Sequence, residues 1–159
     1  MKQNEADIKF MALALEEARA AMERKEVPIG AVVVIDGAVI GRGHNLKESS
    51  CDPTAHAEIV AIKAAAERQK SWRLSGATLY VTLEPCLMCM GAIIQARLAR
   101  IVFASFDPKA GACGSLYDVS NDSRLNHSVE VASGVSDSES KVLLQRFFSA
   151  LRQRNKKDK

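Results

Sequence analysis

Apolar residues recur at three- and four-residue spacing through Ile8, Met11, Ala12, Leu15, Ala18 and Met22, which describes one face of a helix. That helix is expected to stop before Val27-Pro28, because proline disfavours helical geometry in the residue ahead of it. A short β-branched run, Ala31 to Ile35, leads through Asp36-Gly37 into Ala38-Val39-Ile40 and predicts a tight hairpin. Gly41 to Pro53 is polar and predicts a loop. Thr54 can cap a helix from Ala55 to about Gln69, with Ile59, Ile62 and Ala66 facing inward. Ala77 to Leu83 predicts a strand, and Pro85 then opens a second helix, where its fixed φ and missing N–H suit the first turn. This helix, Cys86 to about Arg97, is apolar on nearly every side, which implies burial on both faces, within the domain or against another subunit. Ile101 to Ala104 is a further strand, a Gly-rich stretch runs from Asp107 to Gly114, and Val129-Glu130-Val131 predicts a last short strand. Glu139 to Arg152 reads as a C-terminal helix with Val142, Leu143, Phe147 and Leu151 on one face. One hairpin followed by alternating helix and strand predicts a three-layer α/β domain around a mixed sheet.

Composition narrows the class. The 159 residues are 47% hydrophobic and 26% charged, which suits one globular domain spanning residues 1–159 and excludes a disordered chain. Apolar runs fall well short of the roughly 18 residues of a membrane helix, so no membrane association is expected. The first residues, Met1 to Asp7, lack the apolar core of a secretory leader, so a cytoplasmic protein is expected. Its four cysteines are then poor disulfide candidates and better metal or catalytic ones. The net charge of +3 is unevenly spread: residues 145–159 carry +5 and the rest −2. A basic C-terminal helix and tail, about 139–159, suggests a polyanionic partner, nucleic acid first; a solvated chain end is the competing reading.

The chemistry gathers at His56-Ala57-Glu58 and Pro85-Cys86-Leu87-Met88-Cys89. Cys86 and Cys89 fall at the start of a helix, where free backbone N–H groups and the helix dipole stabilise thiolate. With His56 from the start of another helix they form a three-ligand set for Zn²⁺. A structural zinc site is normally closed by a fourth protein ligand; here the fourth place is left for water, the pattern of a catalytic site. Two thiolates cancel the metal's charge, so water there is acidified less than in a three-histidine site and a base should help remove its proton. Glu58, two residues past the ligand, is placed to accept that proton and return it to a leaving group. A lone Cys-x-x-Cys is also compatible with a redox pair, and a lone His-x-Glu is common; together, in this order, they are far more specific. Cys51 and Cys113 lack such settings and read as packing or surface thiols, with Cys51 a remote candidate for a fourth ligand.

These motifs resemble the zinc-dependent nucleobase deaminases of the cytidine/deoxycytidylate deaminase superfamily, and closely resemble the bacterial tRNA-specific adenosine deaminases. The resemblance runs from about Asp7 to Arg152. It includes Glu26 to Ala31, Asp52 to Ile59, Thr78 to Cys86 and Asp107 to Leu116; the last block and Phe147-Phe148 point most narrowly to the tRNA enzymes. It implies a three-layer αβα fold with a mixed five-stranded sheet, and hydrolytic conversion of adenosine to inosine at the tRNA wobble position by a homodimer with one Zn²⁺ per subunit. His56, Cys86 and Cys89 match the family's zinc ligands and Glu58 its proton shuttle. Asn45 matches a residue that hydrogen-bonds the flipped base, with Ile29 and Leu83 near the pocket wall. Asp107 and Lys109 match the loop that follows the RNA, and Phe147, Phe148 and Arg152 the helix that packs on the anticodon stem-loop. From the residues alone, Phe147 reads as core and Phe148 as exposed. Phe106 stands where some relatives carry a basic residue, and Met90 where a smaller one is usual; the latter is expected to alter packing alone. Two alternatives stay open: a guanine or other free-base or nucleoside deaminase on the same core, and a structural-zinc nucleic-acid binding module. A basic, Phe-bearing C-terminal helix disfavours the first, and Glu58 with an incomplete ligand set disfavours the second.

Overall fold

The computed structural model describes residues 4–158; Met1, Lys2 and Gln3 of the N-terminal segment and Lys159 of the basic tail lie outside them. The elements are α1 (Glu5–Glu23), β1 (Gly30–Ile35), β2 (Ala38–His44), α2 (Ala57–Gln69), β3 (Thr78–Leu83), α3 (Leu87–Gln95), β4 (Arg100–Ser105), β5 (Glu130–Ser133) and α4 (Asp137–Lys157). The strands form one five-stranded mixed sheet in the order β2-β1-β3-β4-β5. The β1–β2 and β1–β3 pairs are antiparallel, and the β3–β4 and β4–β5 pairs are parallel.

Alternation along the strands sorts the core into two layers. Val33, Leu79, Val81, Ile101 and Phe103 pack with α2 and α3 on one face, through Ala61, Ala65, Met90 and Ile93. Val32, Val34, Tyr80, Val102 and Ala104 pack with α1 and α4 on the other, through Met11, Ala14, Leu15 and Leu143. The three layers match the expectation.

Several boundaries differ from the periodicity for identifiable reasons. Asp36 and Gly37 both take positive φ (49° and 77°), as a two-residue hairpin turn requires. Beyond it β2 runs on to His44 through what reads as loop sequence. Gly41 and Gly43 weaken the strand signal, yet they sit under α2: a Cβ on Gly43 would lie 2.6 Å from Ala61 N, and one on Gly41 would overlap Ala61 O. Thr54 does not cap α2. Its N–H and hydroxyl both donate to Asp52 Oδ1, at 2.8 and 2.7 Å, and the helix starts two residues later with His56 at the N-cap. Its inward face is also shifted: Ile62 is buried with Ala57, Glu58, Ala61 and Ala65, while Ile59 and Ala66 are only half-buried. In α4 only Leu143 and Phe147 of the expected apolar face are buried, Val142 and Leu151 remaining exposed. The helix continues five residues past Arg152, taking in the basic segment. In α3 Cys89, Met90, Ile93 and Ile94 are buried, whereas Leu87 is exposed, so this chain covers one side of that helix only.

The face of α1 is rotated from its apolar stripe. Ile8 and Ala12 are exposed, and Asp7 is buried in their stead. Arg100 grips the Asp7 carboxylate through both terminal nitrogens at 2.8 Å, and Tyr80 OH donates to it at 2.9 Å. The Arg100 hydrogen bonds, ahead of the opposing cost of burial, hold the Asp7 carboxyl below its ordinary 3.8. A carboxylate depressed in this way contributes stability above its unfolded pKa and loses it as pH falls through the lower folded value. Asp7→Ala leaves Arg100 and Tyr80 without this partner and is expected to cost about 3 kcal/mol near neutral pH. Thermal melts should show the gap between wild type and variant narrowing below about pH 4. A gap independent of pH down to 3 would assign the loss to packing instead of the ion pair.

Candidate active site

The strand directions bring four chain segments to one edge of the sheet. The approach to β1, the exit from β2 and the exits from β3 and β4 all lie there, since β1 is antiparallel to β3 and β4 is parallel to it. Two helices also begin at this edge. His56 is the N-cap of α2 and Cys86 the N-cap of α3, and neither side chain caps its own helix. Their first-turn N–H groups therefore face the same hollow, and the positive ends of both helix dipoles with them.

His56 Nδ1 lies 3.5 Å from Cys89 Sγ and 3.7 Å from Cys86 Sγ. The three donor atoms all fall within 4.8 Å of one another and could hold a metal ion; among the described residues no other His, Cys, Asp or Glu joins the group. Cys51 is not part of it. It is exposed and its thiol turns to Glu48 O, so it drops out as a fourth ligand. Cys113 is buried, its sulfur 3.0 Å from Met90 Sδ, so the larger residue at position 90 is absorbed in packing as expected.

The surroundings shift the two thiols in opposite directions. A hydrogen bond with Cys89, then the contact with His56, pulls the Cys86 thiol down to about 3 against the cost of burial. The same Cys86–Cys89 hydrogen bond, then burial, pushes the Cys89 thiol up. A cation taking both sulfurs displaces whatever protons they carry. Glu58 is buried in the first turn of α2, and burial raises its carboxyl above the ordinary range. A carboxyl so shifted, beside a donor group and open to a cleft, suits proton transfer near neutral pH.

These residues floor a cavity of about 170 Å³ lined by Val27, Ile29, Asn45, Lys47, His56, Ala57, Glu58, Leu83, Glu84, Cys86, Asp107 and Ala110. Ile29, Asn45, Leu83 and Asp107 are therefore brought together with His56, Glu58 and Cys86. Asn45 is buried, and its Oδ1 accepts from Lys47 N at 3.0 Å, which leaves Nδ2 as the donor available to a ligand. Lys109, Phe148 and Arg152 are not in this cavity. They line a second hollow with Leu144 and Gln145, between the 107–110 turn and α4. Phe148 is exposed and Phe147 buried, as read from the sequence. Phe106 is exposed, its ring edge-on to Phe103.

Two buried carboxylates of the walls carry no signal of their own in the sequence beyond an acidic residue beside a proline turn or motif. Glu26 accepts from Glu48 N at 2.9 Å and from Ser49 N and Oγ, tying down the turn that follows Asn45. Glu84 accepts from the loop opposite. Ser140 Oγ donates to Thr82 O at 2.6 Å and Ser105 Oγ to Asp137 Oδ1 at 2.8 Å, which docks the start of α4 against the exits of β3 and β4.

Comparison with known proteins agrees with this geometry. The MafB19-like deaminase family matches residues 5–152. The tRNA-specific adenosine deaminase of Bacillus subtilis (strain 168) is 48% identical over 147 residues, 92% of this chain and 91% of its own length. A structure from work on A-to-I editing by tRNA:A34 deaminases at the wobble position superposes with a TM-score of 0.83 at 50% identity, covering 86% of this chain and 99% of its own. A guanine deaminase structure from Bacillus subtilis is more distant, with a TM-score of 0.63 and 37% identity over 71% of each chain. With the two-layered core and the His/Cys/Cys group already in place, these matches set the relationship: the chain belongs to the MafB19-like deaminase family, together with the tRNA-specific adenosine deaminases.

Proposed function

We propose that this protein hydrolyses adenosine to inosine at the wobble position of tRNA, with one zinc ion held by His56, Cys86 and Cys89 and with Glu58 as the proton carrier. The observation that carries the reading is the buried carboxyl of Glu58 beside a three-donor group that opens on a cavity. The N···S separations of 3.5 and 3.7 Å suit zinc. Tetrahedral bonds of about 2.0 Å to nitrogen and 2.3 Å to sulfur place such atoms about 3.5 Å apart. Zinc bound there supplies the Lewis acidity that makes water nucleophilic near neutral pH. The Glu58 carboxylate takes the proton of the attacking water and returns it to the leaving amino group, so that water and adenosine give inosine and ammonia. Asn45 Nδ2 donates to the flipped base, Ile29 and Leu83 enclose its faces, and Asp107 borders the entrance.

Outside the cavity, Lys109, Phe148 and Arg152 offer the anticodon stem-loop cations and an aromatic face. The exposed basic end of α4 extends that surface. A tRNA substrate supports action in the cytoplasm; among the described residues no helix is long and apolar enough to cross a membrane. Residues 1–159 act as one deaminase domain. The apolar side of α3 that this chain leaves open at Leu87 supports a homodimer. The greater similarity to tRNA adenosine deaminases, and the second hollow on α4, favour tRNA over free guanine.

Mass spectrometry of tRNA incubated with the zinc-loaded protein tests the reading: inosine should form with release of ammonia, and guanine should yield no xanthine. Glu58→Ala should keep its zinc and lose about 10²–10⁴-fold in rate, the usual size of a general acid–base contribution. Cys86→Ala should lose metal and activity together. Zinc lost from the Glu58 variant would make Glu58 a ligand.

Asn45→Ala leaves polar atoms of the bound base unpaired, which costs roughly 1–3 kcal/mol. The turnover rate should fall accordingly while tRNA affinity, dominated by phosphate contacts, stays near wild type. An unchanged rate would reduce Asn45 to its turn with Lys47.

Replacing Arg152, Arg154, Lys156 and Lys157 with Gln should weaken tRNA binding without altering zinc content. Each phosphate that goes unneutralised as a result should lower the log–log salt slope by about 0.7–0.9. Turnover at saturating tRNA should fall far less than affinity, because these residues position the substrate and do no chemistry. Equal salt slopes in the two proteins would make this end of α4 a solvated helix.

A further inference from the structure

The connection from β4 to β5, residues 106–129, borders the cavity with neither helix nor strand to support it, which makes its anchoring a physical question. Ala112 and Cys113 reach the core, but Phe106, Lys109, Ala110, Ser115, Leu116 and Tyr117 on either side of them are exposed, so apolar burial pins only the middle of its first half. The anchor is Glu84. It is buried between the end of β3 and the start of α3, and four donors from this one segment converge on its two oxygens. Asp107 N and Cys113 N donate at 3.0 Å, Ser115 N donates at 3.1 Å, and Ser115 Oγ donates as well. Gly111 lies flat on the same group, since a Cβ there would overlap the carboxylate. An ionised carboxylate, which accepts only, suits a ring of donors, and it would be costly to bury without them.

Resting on the tRNA reading above, we propose that Glu84 is a positioning residue for the reaction: its carboxylate cinches residues 107–115 into one closed loop beside the cavity, so that Asp107 and Lys109 meet the RNA already ordered. Glu84 sits one residue from Pro85 and two from Cys86, and its oxygens face the loop instead of the donor group. Glu26 holds the opposite wall in the same manner, through the 48–49 backbone. The cavity thus has a floor built by two helix starts and walls each tied by one buried carboxylate. Ordering the loop before the substrate arrives removes that cost from binding, so the contribution of Glu84 falls on KM for tRNA.

Glu84→Gln retains the shape but turns an amide NH₂ toward N–H donors, so part of the ring must open. Hydrogen exchange of amides 107–115 should quicken about tenfold or more, and KM for tRNA should rise about tenfold. The turnover rate should stay within about threefold of wild type, with zinc content unchanged. Gly111→Ala pushes the loop off from the other side with the charge intact and should give the same pair of changes. The double variant should add little to either single one, because both break the same interaction. Wild-type exchange and KM in folded variants would overturn the proposal. So would a loss confined to turnover or to bound zinc, which would tie Glu84 to the α3 start instead. If Glu84→Gln does not fold, Gly111→Ala decides on the same two readouts. A wild-type protein that forms no inosine would refute the tRNA reading, and the exchange rates would still decide whether Glu84 holds the loop.

Discussion

Two sulfurs and an imidazole nitrogen come within 4.8 Å of one another only because two helices begin side by side at one edge of the sheet. Everything else in the structure serves that meeting. β3 and β4 are parallel, so a crossover must join them, and α3 starts where β3 ends. The start of α2 is fixed from beneath, since Gly41 and Gly43 let its backbone lie directly on β2. With both helices so placed, His56 and Cys86 occupy equivalent N-cap positions and turn their side chains toward one another instead of capping. Uncapped N–H groups at the two starts add positive potential, which favours thiolate at Cys86 and a carboxylate in the first turn of α2.

The cavity walls obey a related economy. Each is irregular backbone, and such backbone needs partners for its N–H groups once it is packed against the core. Glu26 and Glu84 supply them from within, and both carboxyl groups stay buried because those donors surround them. On the far side of the sheet the Asp7–Arg100–Tyr80 cluster joins α1 to β3 and β4 through side-chain donors instead. Three buried carboxylates thus act as staples, and Glu58 alone among the buried acidic residues of the cavity has no ring of backbone donors. Burial without such a ring keeps its proton affinity high, as the proposed proton transfer requires.

Much of this was legible in the residues. The β-branched runs marked β1, β3 and β4, the Asp36-Gly37 turn marked the hairpin, and Pro85 with the cysteine spacing marked the start of α3. His56, Glu58, Cys86 and Cys89 stood out by spacing, whereas Asn45, Ile29 and Leu83 came from family resemblance, their neighbourhood being a product of strand order. What could not be read has a physical cause in each case. Glycines that admit a helix look like loop residues, so the residue pattern ends β2 early. A charge satisfied by a partner 93 residues away looks like a surface residue, so the apolar stripe of α1 does not reveal that Asp7 faces inward. Lys109 and Asp107 are two apart in sequence, yet the turn closed by Asp107 Oδ1 sends one to the cavity and the other to α4.

On the proposed reading, three protein donors hold the zinc and a fourth place stays open. X-ray absorption at the zinc edge of the zinc-loaded protein in solution reads it directly. Two sulfurs at about 2.3 Å with two nitrogen or oxygen neighbours at about 2.0 Å are expected, the second of them exchangeable. A shell of three sulfurs, with Cys51 drawn in, or a shell without sulfur would contradict it.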